Sequence, residues 1–162
     1  MGFKTKQKSK IMRRTYSGLV KELLPNQVFV AGTNPEGRHG AGAAKAAMAF
    51  GAKYGQGRGH MGQSYGLVTK NLTPNYTEEC TGITYKIAGE RSVSKVQIII
   101  NITELYLYAT KNQHLDFLIG YTLSPNLNGY TTEEMAEMFK ISTIPDNIVF
   151  NDEFYKLMNN EY

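Results

Sequence analysis

An apolar run, "QVFVAG" (residues 27–32), passes directly into a polar turn, "TNPEG" (33–37), and then into "RHGAGAAKAAMAF" (38–50). This succession constrains the fold more than any other feature of the chain. Val28, Phe29 and Val30 are strand formers in a short run bounded by turn residues, which predicts a buried strand. Asn34-Pro35-Glu36-Gly37 predicts a turn. The alanines that follow predict a helix, with Gly51 at its C-cap. Ten of the chain's 16 glycines fall within residues 28–66. Bare backbone in such amount asks what comes close to it.

The remaining segments continue the alternation of strand and helix. Residues 15–24 predict a short helix or turn, ended by Pro25-Asn26. "YGQGRGHMGQ" (54–63) reads as irregular loop, and "SYGLVTK" (64–70) as a strand. Residues 71–92 form a polar excursion holding the short strand "GITYKIA" (82–88). Residues 93–110 are long for one strand and predict a helix with Val96, Ile99, Ile100, Thr103 and Leu107 on one face. "LDFLIGYTL" (115–123) predicts a strand. "TTEEMAEMF" (131–139) predicts a helix capped by Thr131 or Thr132, with Met135, Met138 and Phe139 facing the core. "DNIVF" (146–150) predicts a last strand and "DEFYKLM" (152–158) a terminal helical turn. The class expected is α/β, a sheet sandwiched by helices.

A chain of 162 residues, 41% apolar, suits one domain with a sizeable core. No apolar run reaches membrane-spanning length, and no apolar segment follows the basic start, so neither a membrane span nor a signal peptide is expected. The single Cys80 excludes an internal disulfide and a thiolate metal cluster, and fits a cytoplasmic setting. Without a secretion signal, the glycan-acceptor patterns at Asn75 and Asn101 read as chance. The formal charge is +4, but Lys4, Lys6, Lys8, Lys10, Arg13 and Arg14 carry six positive charges within residues 1–14, leaving −2 for the rest. The expected division is therefore a basic, disordered tail (1–14) and one α/β domain (15–162). The domain is not a basic nucleic-acid platform, and only the tail keeps a nucleic-acid or protein partner open.

Strand, turn, glycines and helix in that order direct unpaired backbone N–H groups to one place, where an anion such as a diphosphate can be gripped. The P-loop spacing needs Gly-Lys-Ser/Thr, which is absent from this stretch. The dinucleotide fingerprint needs a third glycine and an acid at the end of the next strand. Gly40 and Gly42 supply only part of it, and no acid follows where required. Tight helix–sheet packing is the competing explanation for the glycines.

"VFVAGTNPEGRHGAGAAKAA" followed by "GAKYGQGRGHMGQSYGLVTK" resembles an uncharacterised family of bacteria and phages. Its members carry Gly-Arg-His-Gly-Ala-Gly-Ala-Ala, a Tyr-Gly-Gln-Gly segment and a Gly-Gln-Ser-Tyr-Ala-Ile-Pro-Thr-Lys strand. That family looks macrodomain-like, which implies a mixed sheet between helices and an ADP-ribose-type pocket. By the resemblance, Asn34 lies near the distal ribose. Gly37, Arg38, Gly40, Ala41 and Gly42 form the loop against ribose and diphosphate, and the helix from Ala43 points its N-terminus at the phosphates. Gln56, Gly57, Gly59, Gly62 and Gln63 form a second wall, and Gly120 and Tyr121 open a second phosphate loop. The chain departs from the family at 121–128, where "YTLSPNLN" replaces a glycine-rich loop.

His39 is the titratable group near neutrality within the first glycine cluster, and the candidate catalyst. A role holding the loop is equally open to it. Arg58 can pair with a phosphate or face solvent, His60 is a weaker acid–base candidate, and His114 reads as surface. Tyr54, Tyr65 and Tyr121 flank the expected pocket and can stack on a base. Cys80 reads as an inert thiol and Glu36 as a turn carboxylate. No metal and no cofactor are expected. Two functions follow: binding of ADP-ribose or a related nucleotide-ribose with hydrolysis of a phosphate or ester on the distal ribose, or a catalytically silent binder or sponge for a signalling nucleotide in a phage.

Overall fold

A computed structural model describes residues 13–121 and 126–159. The elements run β1 (Thr15–Tyr16), β2 (Gln27–Thr33), α1 (Gly42–Ala47) with a 3-10 turn at Met48–Phe50, β3 (Gly59–Met61) and β4 (Ser64–Val68). They continue with β5 (Tyr76–Thr77), β6 (Thr84–Tyr85), α2 (Lys95–Lys111), β7 (Asp116–Ile119), α3 (Thr132–Lys140), β8 (Ile148–Asn151) and α4 (Asp152–Met158). Six strands form one mixed sheet in the order β1-β8-β7-β2-β4-β3, all parallel except β3 at one edge. The β5–β6 hairpin stands apart. No helix among the described residues is long and apolar enough to cross a membrane.

Register sorts the side chains by face. Val28 and Val30 of β2 sit opposite Phe117 and Ile119 of β7, and Phe117 sits opposite Ile148 of β8. These residues share one face and pack with Ile98, Ile102 and Leu105 of α2 and with α3 and α4. The other face is built small. Ala31 pairs with Gly66 and Phe29 with Ser64. Against Phe29 and Ala31 lie Ala47, Ala52 and Phe50, with Val20 and Leu23 of the N-terminal segment. The alanine run therefore does two things. It favours helix, and it lets α1 approach a sheet face that has little side-chain relief.

Four expectations are corrected. Residues 15–24 do not form a helix. Thr15 and Tyr16 add a parallel strand beside Phe150 and Asn151, and Asn151 Nδ2 donates to the Gly18 carbonyl at 3.0 Å. These bonds, with Gly18 at φ +71°, hold the chain extended along the sheet. Residues 54–63 are not wholly irregular, because Gly59–Met61 pairs antiparallel with β4. The helix expected at 93–110 is present, but its apolar stripe is not the buried one. Val96, Ile100 and Leu107 are exposed, whereas Ile98, Ile102, Leu105, Tyr106 and Ala109 are buried. Both stripes have helical spacing. The buried one is selected by polar groups with partners inside: Asn101 Nδ2 donates to the Val68 carbonyl at 2.8 Å, and the Tyr106 hydroxyl to the Phe139 carbonyl at 2.7 Å.

Arg13 and Arg14 belong to the folded body rather than to a tail. Arg13 donates to the carbonyls of Ile144, Pro145 and Ile148, and Arg14 forms two 2.8 Å bonds to the Asp116 carboxylate. The rest of the basic stretch, residues 1–12, lies outside the described residues. α3 begins with a full capping box. Thr131 Oγ1 accepts from Glu134 N at 3.0 Å, and Thr131 N donates to Glu134 Oε1 at 2.9 Å.

Candidate functional site

The strand order reverses beside β2. The chain leaves β2 through α1 toward β4, on one side, and leaves β7 through α3 toward β8, on the other. Loops leaving a parallel sheet in opposite directions open a crevice at the carboxyl ends of the strands. A cleft of ≈ 830 Å³ lies there, within the size range of small-molecule sites. It follows the carboxyl edge past Tyr16 of β1, Phe154 after β8, Gly120 after β7, Thr33 of β2 and Thr69 after β4. Four strand spacings give it a length of ~19 Å. α1 walls one side, and α3, through Thr132 and Met135, the other.

The fourteen residues singled out for the site divide between this cleft and a layer behind it. Asn34, Arg38, Gly40, Ala41, Gly42, Gly120 and Tyr121 line the cleft. Gly37, His39, Gln56, Gly57, Gly59, Gly62 and Gln63 do not. A side chain on Gly37 would strike the backbone of Gly55 and Gln56, one on Gly57 the Asn34 carbonyl, and one on Gly66 the Gly57 carbonyl. Residues 34–37, residues 55–57 and strand β4 are thus stacked backbone on backbone. The Thr33 hydroxyl joins this stack by donating to the Gly57 carbonyl at 2.5 Å. Gly51 and Gly62 meet in the same manner at the β3–β4 turn, both with positive φ. Gln63 is spent on the N-terminal segment, its Nε2 donating to the carbonyls of Leu24 and Gln27.

In the cleft itself, Gly40 has open space where a β-carbon would sit. Gly42, at φ +58°, faces Leu127. Gly120 is held against β2: its N–H donates to the Val30 carbonyl at 2.8 Å, and a β-carbon would crowd that same oxygen. Asn34 closes its own loop, accepting from Arg38 N at 2.9 Å and donating to the Arg38 carbonyl at 2.8 Å. Together the two bonds leave Asn34 one further N–H and one further lone pair. Tyr121 lines the cleft and packs on Phe154, 5.8 Å between centroids. Tyr54 lies exposed at the mouth, while Tyr65 is buried in an aromatic cluster with Tyr108 and Phe117. Thr122–Pro125, within the segment 121–128 where the sequence resemblance breaks off, lies outside the described residues.

The ionisable candidates are mostly engaged elsewhere. His39 is 3% exposed, and its Nε2 lies 2.8 Å from the Lys53 carbonyl and 2.9 Å from the Gln56 carbonyl. That geometry ties the 53–56 turn to the glycine loop and makes Nε2 the donor nitrogen. Nδ1 is buried without a partner among the described residues. Arg58 neither faces solvent nor reaches the cleft. Its Nε and Nη2 bond the two oxygens of Glu78 at 2.8 and 2.9 Å, and its Nη1 bonds Asn101 and Glu104 at 3.0 Å each. Burial pushes the Glu78 carboxyl up, but Arg58, Tyr85 and Thr81 together hold it below the ordinary carboxylate value. His60 Nδ1 is hydrogen-bonded to the Tyr108 hydroxyl. His114 is exposed. Glu36 accepts from the Thr73 hydroxyl and sits 3.6 Å from Arg38 Nε. Cys80 is a free, exposed cysteine, and desolvation together with the neighbouring Glu78 pushes its thiol up.

Sequence reasoning missed Tyr16, Leu19 and Val20 on one wall, Phe154 at one end, and Thr69 and Lys70 at the other. The last two carried a usable signal. They end a parallel strand, where an open α/β sheet places its ligand contacts. Comparisons of the chain with protein-family models, curated proteins and solved structures find no match.

Proposed function

We propose that the cleft binds ADP-ribose or a related nucleotide-ribose and holds it without chemical change. One observation carries this reading. Arg38 and Lys70 are the only charged side chains among the described lining residues, and the Glu36 carboxylate that pairs with Arg38 is not one of those residues. The sequence Thr122-Leu123-Ser124-Pro125 contains neither a carboxylate nor an imidazole side chain. A lining of two cations and neutral donors such as Asn34 attracts a phosphorylated ligand. Among the described lining residues there is no imidazole or carboxylate to move a proton. The ~19 Å of the groove suits two ring systems joined by a diphosphate, and the macrodomain resemblance names that class. His39 is assigned to loop support, not to chemistry.

The test is calorimetric titration of the full chain with ADP-ribose, NAD and cyclic dinucleotides, followed by product analysis after long incubation. Saturable binding of ADP-ribose with the ligand recovered intact supports a binder. Release of ribose, phosphate or AMP would replace it with a hydrolase. No binding by any of the three would overturn the nucleotide reading.

A further inference from the structure

The two cations of the cleft follow adjacent strands, Arg38 in the loop after β2 and Lys70 directly after β4, and they are not equivalent. Arg38 is partly neutralised by Glu36 at 3.6 Å and keeps most of its side chain in solvent. Lys70 is half-buried, and among the described residues no carboxylate lies within 4.0 Å of its ammonium group. Its backbone is held at the corner between β2 and β4. The N–H groups of Thr69 and Lys70 both donate to the Thr33 carbonyl, at 2.9 and 3.3 Å. Asn34, with unused hydrogen-bonding capacity, follows Thr33 directly. At the β1–β8 end the described lining residues are Tyr16, Leu19, Val20 and Phe154, none of them charged. The Tyr16 hydroxyl there is spent on the Ile119 carbonyl at 2.6 Å.

We propose that Lys70 selects for a phosphate at the β2–β4 end of the ligand, beyond whatever sugar Asn34 contacts. The inference rests on the nucleotide-ribose reading for the ligand as a whole, but the anion site is a property of this corner alone. An ammonium group with three donors and no carboxylate to neutralise it suits a phosphate as a point charge. A half-buried site is screened less by salt than a surface lysine would be.

Two measurements separate the anion site from the ligand reading. Amide chemical shifts followed during titration with inorganic pyrophosphate should move at Asn34, Arg38 and Lys70 and stay still at Tyr16 and Phe154. Lys70→Met keeps the apolar stem and removes the charge, and should abolish those shifts. Lys70→Arg should retain them. In calorimetry, a form of ADP-ribose bearing a phosphate on its distal ribose should bind the natural chain about tenfold more tightly than ADP-ribose. K70M, checked for an unchanged melting temperature, should erase that preference. Pyrophosphate shifts at Lys70 without nucleotide binding would leave the anion site standing and remove the nucleotide-ribose reading. Nucleotide binding with no pyrophosphate shifts, or with the same preference in K70M, would overturn the role of Lys70 and leave the nucleotide reading intact.

Discussion

The Gly57 carbonyl oxygen occupies the space where a β-carbon on Gly66 would stand. Strand β4 can therefore lie under the 55–57 segment only as bare backbone. Gly66→Ala forces a main-chain shift in a packed layer and should destabilise the protein by roughly 1–3 kcal/mol or more. A β-carbon on Gly40 would meet no atom within 4 Å. Gly40→Ala should change stability by less than about 0.5 kcal/mol. Urea denaturation of the two variants checks the contrast, and equal losses would show that the stack is not what restricts Gly66.

The buried Arg58–Glu78 pair joins the polar excursion to β3 and α2. Arg58→Ala leaves Glu78, 3% exposed at its side chain, without its principal partner. A loss of about 3–5 kcal/mol is expected. Replacing both residues by methionine should recover much of that loss, because no charge is then stranded. Chemical denaturation of the single and double variants gives the comparison.

Glu134 receives the Thr131 N–H and pairs with Arg91 and Lys95. Its carboxyl is pulled down to about 2, first by the hydrogen bond from Lys95. A folded pKa below the ordinary 4.5 means stability present above pH 4.5 and lost as pH falls toward 2. Glu78 acts in the same direction. Thermal melts between pH 7 and pH 2.5 should therefore fall most steeply below pH 4.5. Glu134→Gln should flatten that fall, and an unchanged slope would remove Glu134 from the acid response.

Helix α2 offers a direct comparison of two isoleucines. Ile102 is 1% exposed and Ile100 47%. Ile102→Ala should cost about 2–5 kcal/mol through lost burial and a residual cavity. Ile100→Ala should cost well under half as much. Melting temperatures of the pair decide whether the buried stripe is the one described.

Much of the local order is legible in the sequence. The β2 strand, the 34–37 turn, the alanine helix with left-handed Gly51 behind it and the Thr131 cap of α3 are each specified within a few neighbouring residues. The α2 helix is legible as a helix but not in its orientation, since apolar residues cover most of its circumference. Which stripe turns inward depends on Asn101 meeting Val68 and Tyr106 meeting Phe139, partners 33 residues away in each case. Arg58 is similarly opaque, because its partner Glu78 lies 20 residues on, beyond strands β3, β4 and β5.

The glycine-rich stretch shows the same division at the candidate site. By itself the sequence determined that a strand, a turn and a helix follow one another there, with backbone bare enough for close approach. Only the tertiary structure decided what approaches each glycine. Gly37, Gly57 and Gly66 are bare because other segments of the same chain lie against them, and Gly40 and Gly42 are bare at the cleft. Backbone propensity acts between neighbours in sequence, whereas steric exclusion acts between neighbours in space. The same physics placed Lys70 in the cleft and His39 behind it.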